Sequence, residues 1–446
     1  MHIVIVGGGA TGIITALCIL RDAHAHDQVT LIDRTTNLGA GVAYRTTDES
    51  LLLNVRTLQM SAYADQPDHF VEWLTTHKNQ PDAEAFVPRA WYARYLQDTL
   101  AVAISQSNAH YTCIPTNVVD IDPTHRVVIC ADGQQFSADH IILALGHAPI
   151  ANPFARWAPA PQRVMNGYDW QAITTQITPT DDIIIIGSGL TMVDTIVALQ
   201  NHGHQGNITA FSRHGHLPQP HIPRQSYPPF ITSDHYGWSV VDLIRLVRTE
   251  VAKAHATGIP WQAVIDSLRP HNQQLWMHWS LREKQRFLRH VRPHWDIYRH
   301  RIAPQIATII ASTPQLTISA GRIVAYHEHA ATVSLTIQPR HTTTTRTMTA
   351  AYVINCTGPL SDYALIENPL VVTLRQRGIL AADDIHLGIA VDDHGHLCDQ
   401  HQQVIPWLWT LGPPRKGYAW ECIAIPDIRN QATNLAHDIF ATTLSI

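Results

Sequence analysis

The chain has 446 residues, of which 45% are apolar, enough for two or three domains of about 100–200 residues each. Its formal net charge of -5 and its few lysines (Lys78, Lys253, Lys284, Lys416) exclude a broad cationic surface for nucleic acid or anionic lipid. The six cysteines, Cys18, Cys113, Cys130, Cys356, Cys398 and Cys422, form no CxxC or other close pair, which fits free thiols in a reducing, cytoplasmic setting and excludes a redox dithiol.

The first stretch, "MHIVIVGGGATGIITALCIL", lacks the basic segment and cleavage site of an export signal. Three glycines stand where a membrane helix should be most regular, and each would cost roughly 1 kcal/mol there. The stretch instead predicts a buried strand over His2–Val6, a turn Gly7-x-Gly9-x-x-Gly12, and a helix over Ala10–Leu20. A second strand, "QVTLIDR", ends at Asp33 about 20 residues after the glycines, the spacing of a dinucleotide site. There the first glycine turns the chain and the second lets the backbone approach a pyrophosphate. Gly12 lets helix and strand pack closely, and Asp33, with Arg34 beside it, accepts from a ribose diol.

Further on, "FSADHIILALGHAP" predicts a strand ending in Leu145-Gly146-His147, followed by a Pro/Ala-rich linker, "APIANPFARWAPAPQ". Then "DDIIIIGSGLTMVDTIVALQ" repeats the opening device: strand Ile183–Ile186, turn Gly187-x-Gly189, helix through Leu199. The next strand, about Ile208–Phe211, is followed by Ser212 and Arg213 in place of an acid. An arginine there accepts a 2′-phosphate, so the second site is expected to select NADPH. Met192 replaces the third glycine, and Asp194 is unusual on a helix facing phosphates, suited instead to capping or pairing.

Beyond the proline-rich "LPQPHIPRQSYPPF", apolar residues three and four apart from Val240 to about Ile310 predict a helical insertion over the active-site cleft. Its tryptophans and arginines (Trp276, Trp279, Arg282, Arg286, Arg289, Arg292, Trp295, Arg299, Arg301) read mainly as core aromatics and a solvated face. The alternative is that some arginines bind a carboxylate substrate. The histidine-rich "RHGHLPQPH" and "RHVRPHWDIYRHR" lack an acid or cysteine set at ligand spacing, and Pro293 interrupts the His290/His294 pair, so these read as structural or surface histidines. "HTTTTRTMT" is a polar hairpin loop, and "MTAAYVINCTGP" is a last strand ending in Thr357-Gly358-Pro359.

These motifs, with "GAGVAYRTTDESLLLNV", "PRAWYARYL" and "LWTLGPPRKGYAWECIAIPDIRNQA", resemble the bacterial FAD-NAD(P)-binding flavoproteins related to amino-acid N-hydroxylating and other class B flavin monooxygenases. The resemblance implies an α/β fold with two Rossmann-like dinucleotide-binding domains. One, discontinuous over 1 to about 155 and 357 to 446, would bind FAD; the other, 180 to 356 with a helical insertion at about 235–310, would bind NAD(P). It further implies that Gly7, Gly9, Gly12 and Asp33 hold the ADP part of FAD, and that Gly39–Tyr44, Gly41 included, and Asn54 lie along the ribityl chain and flavin. A helix starting near Ile425-Pro426 would bring its positive end to the ring. Gly146, Gly187, Gly189, Ser212, Arg213 and Gly358 complete the nucleotide-binding set. No evident acid precedes the final helix, and the Baeyer-Villiger signature is absent.

The leading expectation is an NADPH-dependent monooxygenase acting on a small amine or an anionic amino acid, with Asn54, Tyr44, His147, Lys416 and Glu421 near the flavin. Two others stay open: a flavin dehydrogenase or oxidase with a degenerate nicotinamide site, and a flavin-binding redox protein without turnover.

Overall fold

A computed structural model describes residues 1–443. The first half of the chain builds β1 (His2–Val6), α1 (Ala10–Asp22), β2 (Gln28–Ile32), α2 (His69–Lys78), α3 (Arg89–Gln106), β3 (His110–Ile114), β4 (Val118–Asp122), β5 (Val127–Cys130), β6 (Gln135–Ser137) and β7 (His140–Leu143). There follow β8 (Val164–Asn166), α4 (Trp170–Gln176), β9 (Ile183–Ile186), α5 (Leu190–Asn201) and β10 (Ile208–Ser212). A helical stretch holds α6 (Val240–Ala256), α7 (Trp261–Ser267), α8 (Asn272–His278), α9 (Leu281–Arg286), a π turn, α10 (Arg292–Arg299) and α11 (Pro304–Ala311). The remainder is β11 (Leu316–Glu328), β12 (Val333–Pro339), β13 (Arg346–Ala350), β14 (Tyr352–Asn355), α12 (Pro369–Gln376), β15 (His396–Cys398), β16 (Val404–Thr410) and α13 (Ile425–Thr443).

Two large sheets organise these elements. The first has the order β15-β16-β7-β1-β2-β3, parallel except where β15 meets β16. The second has the order β13-β12-β11-β10-β9-β14-β8, parallel from β11 to β8. β4, β5 and β6 form a separate antiparallel sheet. Strands covered on both faces must be apolar throughout, which explains why β1 and β9 are almost unbroken runs of Ile and Val.

The two sheets repeat one plan. β1 lies between β2 and β7, and β9 lies between β10 and β14. Helix α1, buried from Thr11 to Leu20, packs between the first sheet and the helices α3 and α13. Its near-total burial follows from the lack of any charge before Arg21.

Val164–Asn166 is the edge strand of the second sheet, pairing with β14. It falls between the two ranges expected for the domains, because three residues are too few to show a period in sequence. Leu51, from the first part of the chain, is buried in the core of the second sheet beside Ile185 and Val193. The helical stretch docks elsewhere: Trp276 of α8 is fully buried, packs on Trp420 at 4.9 Å between ring centroids, and donates from Nε1 to the Gly417 carbonyl (2.9 Å). No helix among the described residues is long and apolar enough to cross a membrane.

Candidate active site

Each glycine turn is forced by a close approach of backbone. Gly7 has φ +111°, and a Cβ there would lie 2.4 Å from the Ala144 carbonyl oxygen; Gly187, at φ +100°, would meet the Cys356 oxygen at 2.2 Å. A side chain at Gly12 would lie 1.8 Å from the Gly7 oxygen. Both turns therefore press against the end of the neighbouring strand, β7 in one sheet and β14 in the other. Gly9 and Gly189 are the N-caps of α1 and α5, and neither helix start is capped by a side chain. Their free N–H groups and positive helix ends suit phosphate.

Asp33, just past β2, accepts hydrogen bonds from Gly8 N (2.6 Å) and Thr35 N (2.9 Å), so its carboxylate orders the first turn; Arg34 is exposed beside it. Gly41 faces Gly9, their Cα atoms bringing two backbones together with no side chain between them. In the second sheet Ser188 hydrogen-bonds from Oγ to the His216 carbonyl (2.6 Å) and lies 2.8 Å from Ser212 Oγ; Arg213 next to it is exposed. Gly146, Gly189 and Gly358 face open space, with nothing within 4 Å of an added Cβ. Uncapped helix starts, backbone exposed at glycines and open volume beside them fit two dinucleotides.

A cleft of about 690 Å³, counted to its open mouth, joins the two halves. Asn54 contributes one wall, His221, Arg299, His300 and Arg301 another, and Lys416, Trp420, Glu421 and Asp427 a third. The His221 loop is fastened to the Asn54 side. Because the Asn54 carbonyl can only accept, His221 donates to it from Nε2 (3.0 Å), which leaves Nδ1 to accept from Arg56 Nη1 at 3.5 Å. Arg56 also donates to the Ile222 carbonyl (2.6 Å).

Most charges lining the cleft are already matched. Arg299 grips Glu421 through Nε (3.2 Å) and Nη2 (3.0 Å), and Asn272 donates to the same carboxylate (3.0 Å). Arg301 holds Asp266 with two bonds of 2.9 and 3.0 Å, and Arg269 stands 3.8 Å from Asp427. Lys416 has only the Trp420 ring, 5.0 Å away, and makes no ion pair among the described residues. Burial lowers its ammonium pKa, and the Arg292 charge lowers it further. Burial pushes the Asp427 carboxyl up to about 6, and drives His300 down to about 3 with help from Arg299 and Lys416.

Of the residues expected near a flavin, the cleft brings together Asn54, Lys416 and Glu421. Ile425 is buried at the start of α13, next to Pro426 and Asp427, which line the same cleft. Tyr44 lies apart, its ring tilted 56° against that of Tyr92 at 4.8 Å between centroids, and burial pushes its phenol up to about 12. His147 is exposed just beyond β7, close enough to Lys416 for that charge to act on its ring. His221 and His300 belong to the two histidine-rich stretches read from the sequence as structural or surface histidines, whereas both line the cleft; Arg269 and Asp427 were not singled out. The conspicuous proline-rich setting of His221 was the one available signal.

Two largely parallel sheets, each with a glycine turn opening a helix, and a charged cleft lined from both halves of the chain define the architecture. The chain has the two-dinucleotide-binding flavoprotein fold. Residues 4–148 match the FAD-NAD(P)-binding family, and no curated protein sequence matches the chain. Among solved structures, L-lysine 6-monooxygenase from Pseudomonas syringae is similar over 98% of this chain and 99% of its own, with a TM-score of 0.68 at 16% identity. Ornithine hydroxylase from Pseudomonas aeruginosa is similar over 99% of both chains, with a TM-score of 0.66 at 14% identity. The ornithine N-hydroxylase of Kutzneria sp. 744, solved with reduced FAD, NADP⁺ and L-ornithine, is similar over 99% of both chains, at 0.64 and 12%. The flavoprotein fold thus extends through the helical stretch and α13, well beyond the family match.

Proposed function

We propose that this protein is an FAD-dependent, NADPH-using monooxygenase that oxygenates the nitrogen of a small amine or amino acid. The observation that carries this is a charged cleft in a chain that also holds two uncapped glycine turns and is similar end to end to flavoenzymes that hydroxylate ornithine or lysine.

Gly7, Gly9, Gly12 and Asp33, with Arg34 and Gly41 alongside, would hold the ADP part of FAD. Gly187, Gly189, Ser212 and Arg213 would hold NADPH, with Gly146 and Gly358 at the crossings between the sheets. When bound, FAD supplies two-electron transfer from NADPH and the activation of dioxygen. The chain supplies orientation, charge and exclusion of water. Trp420 lines the cleft and is backed by the buried Trp276 and Phe287.

A reactive amine must be neutral. Lys416, Arg292 and Arg299 place positive charge around the cleft and oppose an ammonium there, while Asp427, with its raised pKa, is suited to accept the proton the amine gives up. The arginines that invite an anionic substrate are paired with acids, so Lys416 is the group left to receive a carboxylate.

The dehydrogenase reading rests on Met192, which is fully buried in the second core where the first motif has Gly12. One anaerobic experiment separates the two. Rapid bleaching of the flavin absorbance by NADPH, followed by amine-dependent oxygen uptake in air, supports the monooxygenase. Absence of bleaching by NADPH, with bleaching by a substrate alone, overturns it in favour of the dehydrogenase.

A further inference from the structure

The loop after β10 gathers basic groups beside the second glycine turn. Gly215 N donates to Ser212 Oγ (2.9 Å), and the Ser188 bond to the His216 carbonyl ties the loop to the start of α5. The rings of His214 and His216 stack, with centroids 5.5 Å apart and planes 8° from parallel. His294 of α10 closes over them, 4.8 Å from His216 and 6.5 Å from His214.

The charged groups that act most strongly on these two rings are basic: Arg340 from the turn after β12, Arg213 on His214, and the histidines upon one another. His214 Nδ1 and His216 Nε2 are buried and have no hydrogen-bond partner. A structural cluster of this kind would be expected to contain a carboxylate, since unopposed like charges and orphaned buried nitrogens both cost stability. No group of three His, Cys, Asp or Glu among the described residues has the spacing of a metal site. An anion satisfies both deficits at once. The end of the second strand of a βαβ unit is also where a dinucleotide places its ribose substituent.

We propose that His214 and His216, backed by His294, Arg340 and Arg213, form a clamp for the 2′-phosphate of NADPH, and that the clamp takes up protons as the nucleotide binds. This rests on the proposed NADPH site and assigns its phosphate-binding residues. Before binding, burial and the neighbouring cations keep both rings low in pKa and neutral. A phosphate dianion reverses the balance, so His214 Nδ1 and His216 Nε2 gain protons and donate to it.

The test is calorimetric titration of the FAD-loaded protein with 2′,5′-ADP and with 5′-AMP, at about pH 6.5 and about pH 8.5, in two buffers of different ionisation enthalpy. We expect 2′,5′-ADP to bind with net proton uptake and to weaken about tenfold between the two pH values, while 5′-AMP shows neither effect. In His214→Gln and His216→Gln variants of unchanged flavin content, proton uptake and pH dependence should both fall. Tight 2′,5′-ADP binding by the wild type without proton uptake would overturn the clamp and leave the NADPH site standing. Failure of the wild type to bind 2′,5′-ADP would overturn both. The wild-type proton count decides even if the variants fail to fold.

Discussion

Arg89 and Asp194 form a two-pronged ion pair of 2.6 and 3.0 Å between the first turn of α3 and the second turn of α5. Both side chains are largely buried, and Arg89 also donates from Nε to the Leu52 carbonyl (2.9 Å). Burial raises the Asp194 carboxyl while Arg89 opposes that shift. The pair, with Leu51 inserted into the core of the second sheet, joins the two halves of the molecule next to the second glycine turn. It accounts for an acid on a helix expected to face phosphates.

Removing one partner leaves the other charge buried and alone. Arg89→Ala and Asp194→Ala should each destabilise the protein by about 3–5 kcal/mol, read as a fall in the midpoint of urea unfolding. Replacing both should cost less than the sum of the singles. Strict additivity would show that the contact carries no coupling.

Flavin retention tests the first turn. Gly12→Val puts side-chain atoms onto the Gly7 carbonyl, where even a Cβ would lie at 1.8 Å, and the purified protein should be colourless. Asp33→Ala removes the acceptor for Gly8 N and should weaken FAD binding about tenfold. Flavin absorbance per mole of protein checks the first and titration of the apoprotein with FAD the second, and full yellow colour in Gly12→Val or unchanged FAD affinity in Asp33→Ala would refute the assignment.

Asp427 carries a pH signature. Its folded pKa of about 6 lies above the unfolded value of 3.8, so the folded state binds the proton more tightly, and stability is lost as pH rises from about 4 through about 6. Asp427→Asn, which cannot ionise, should therefore be more stable than wild type at about pH 8, by up to about 3 kcal/mol. The gain should vanish below about pH 4. Thermal melts of the FAD-loaded proteins across this window would show it, and a difference constant with pH would contradict the assignment.

Lys416 tests the substrate. If it receives a carboxylate, Lys416→Gln should raise the KM for an amino acid about tenfold and leave that for the corresponding diamine nearly unchanged. Equal changes for both would remove the anionic-substrate reading.

The nucleotide turns were legible because their cause is local. Strand, glycines, helix and second strand lie within about 30 residues, and the crowding of Gly7 and Gly12 leaves no residue but glycine able to fill them. The same reasoning applies to β9, Gly187, Gly189 and the buried start of α5. Arg213 stood out for a similar reason, since it directly follows a strand, and the structure leaves it exposed there. The three-residue strand Val164–Asn166 had too short a pattern to register.

By itself, then, the sequence determined the two strand–turn–helix units and the apolar interiors of both sheets, consequences of steric limits and short periodicities, while the start of α13 near Ile425 followed from the resemblance and from Pro426. Only the tertiary structure decided the cleft. Asn54 meets His221, Arg299 meets Glu421, and Arg89 meets Asp194 across separations of 167, 122 and 105 residues. Whether an arginine is free for a ligand or already held by an acid depends on such long-range contacts, because an ion pair forms between neighbours in space and leaves no period along the chain. The same packing gathered His214, His216, His294 and Arg340 from three separate elements into one site.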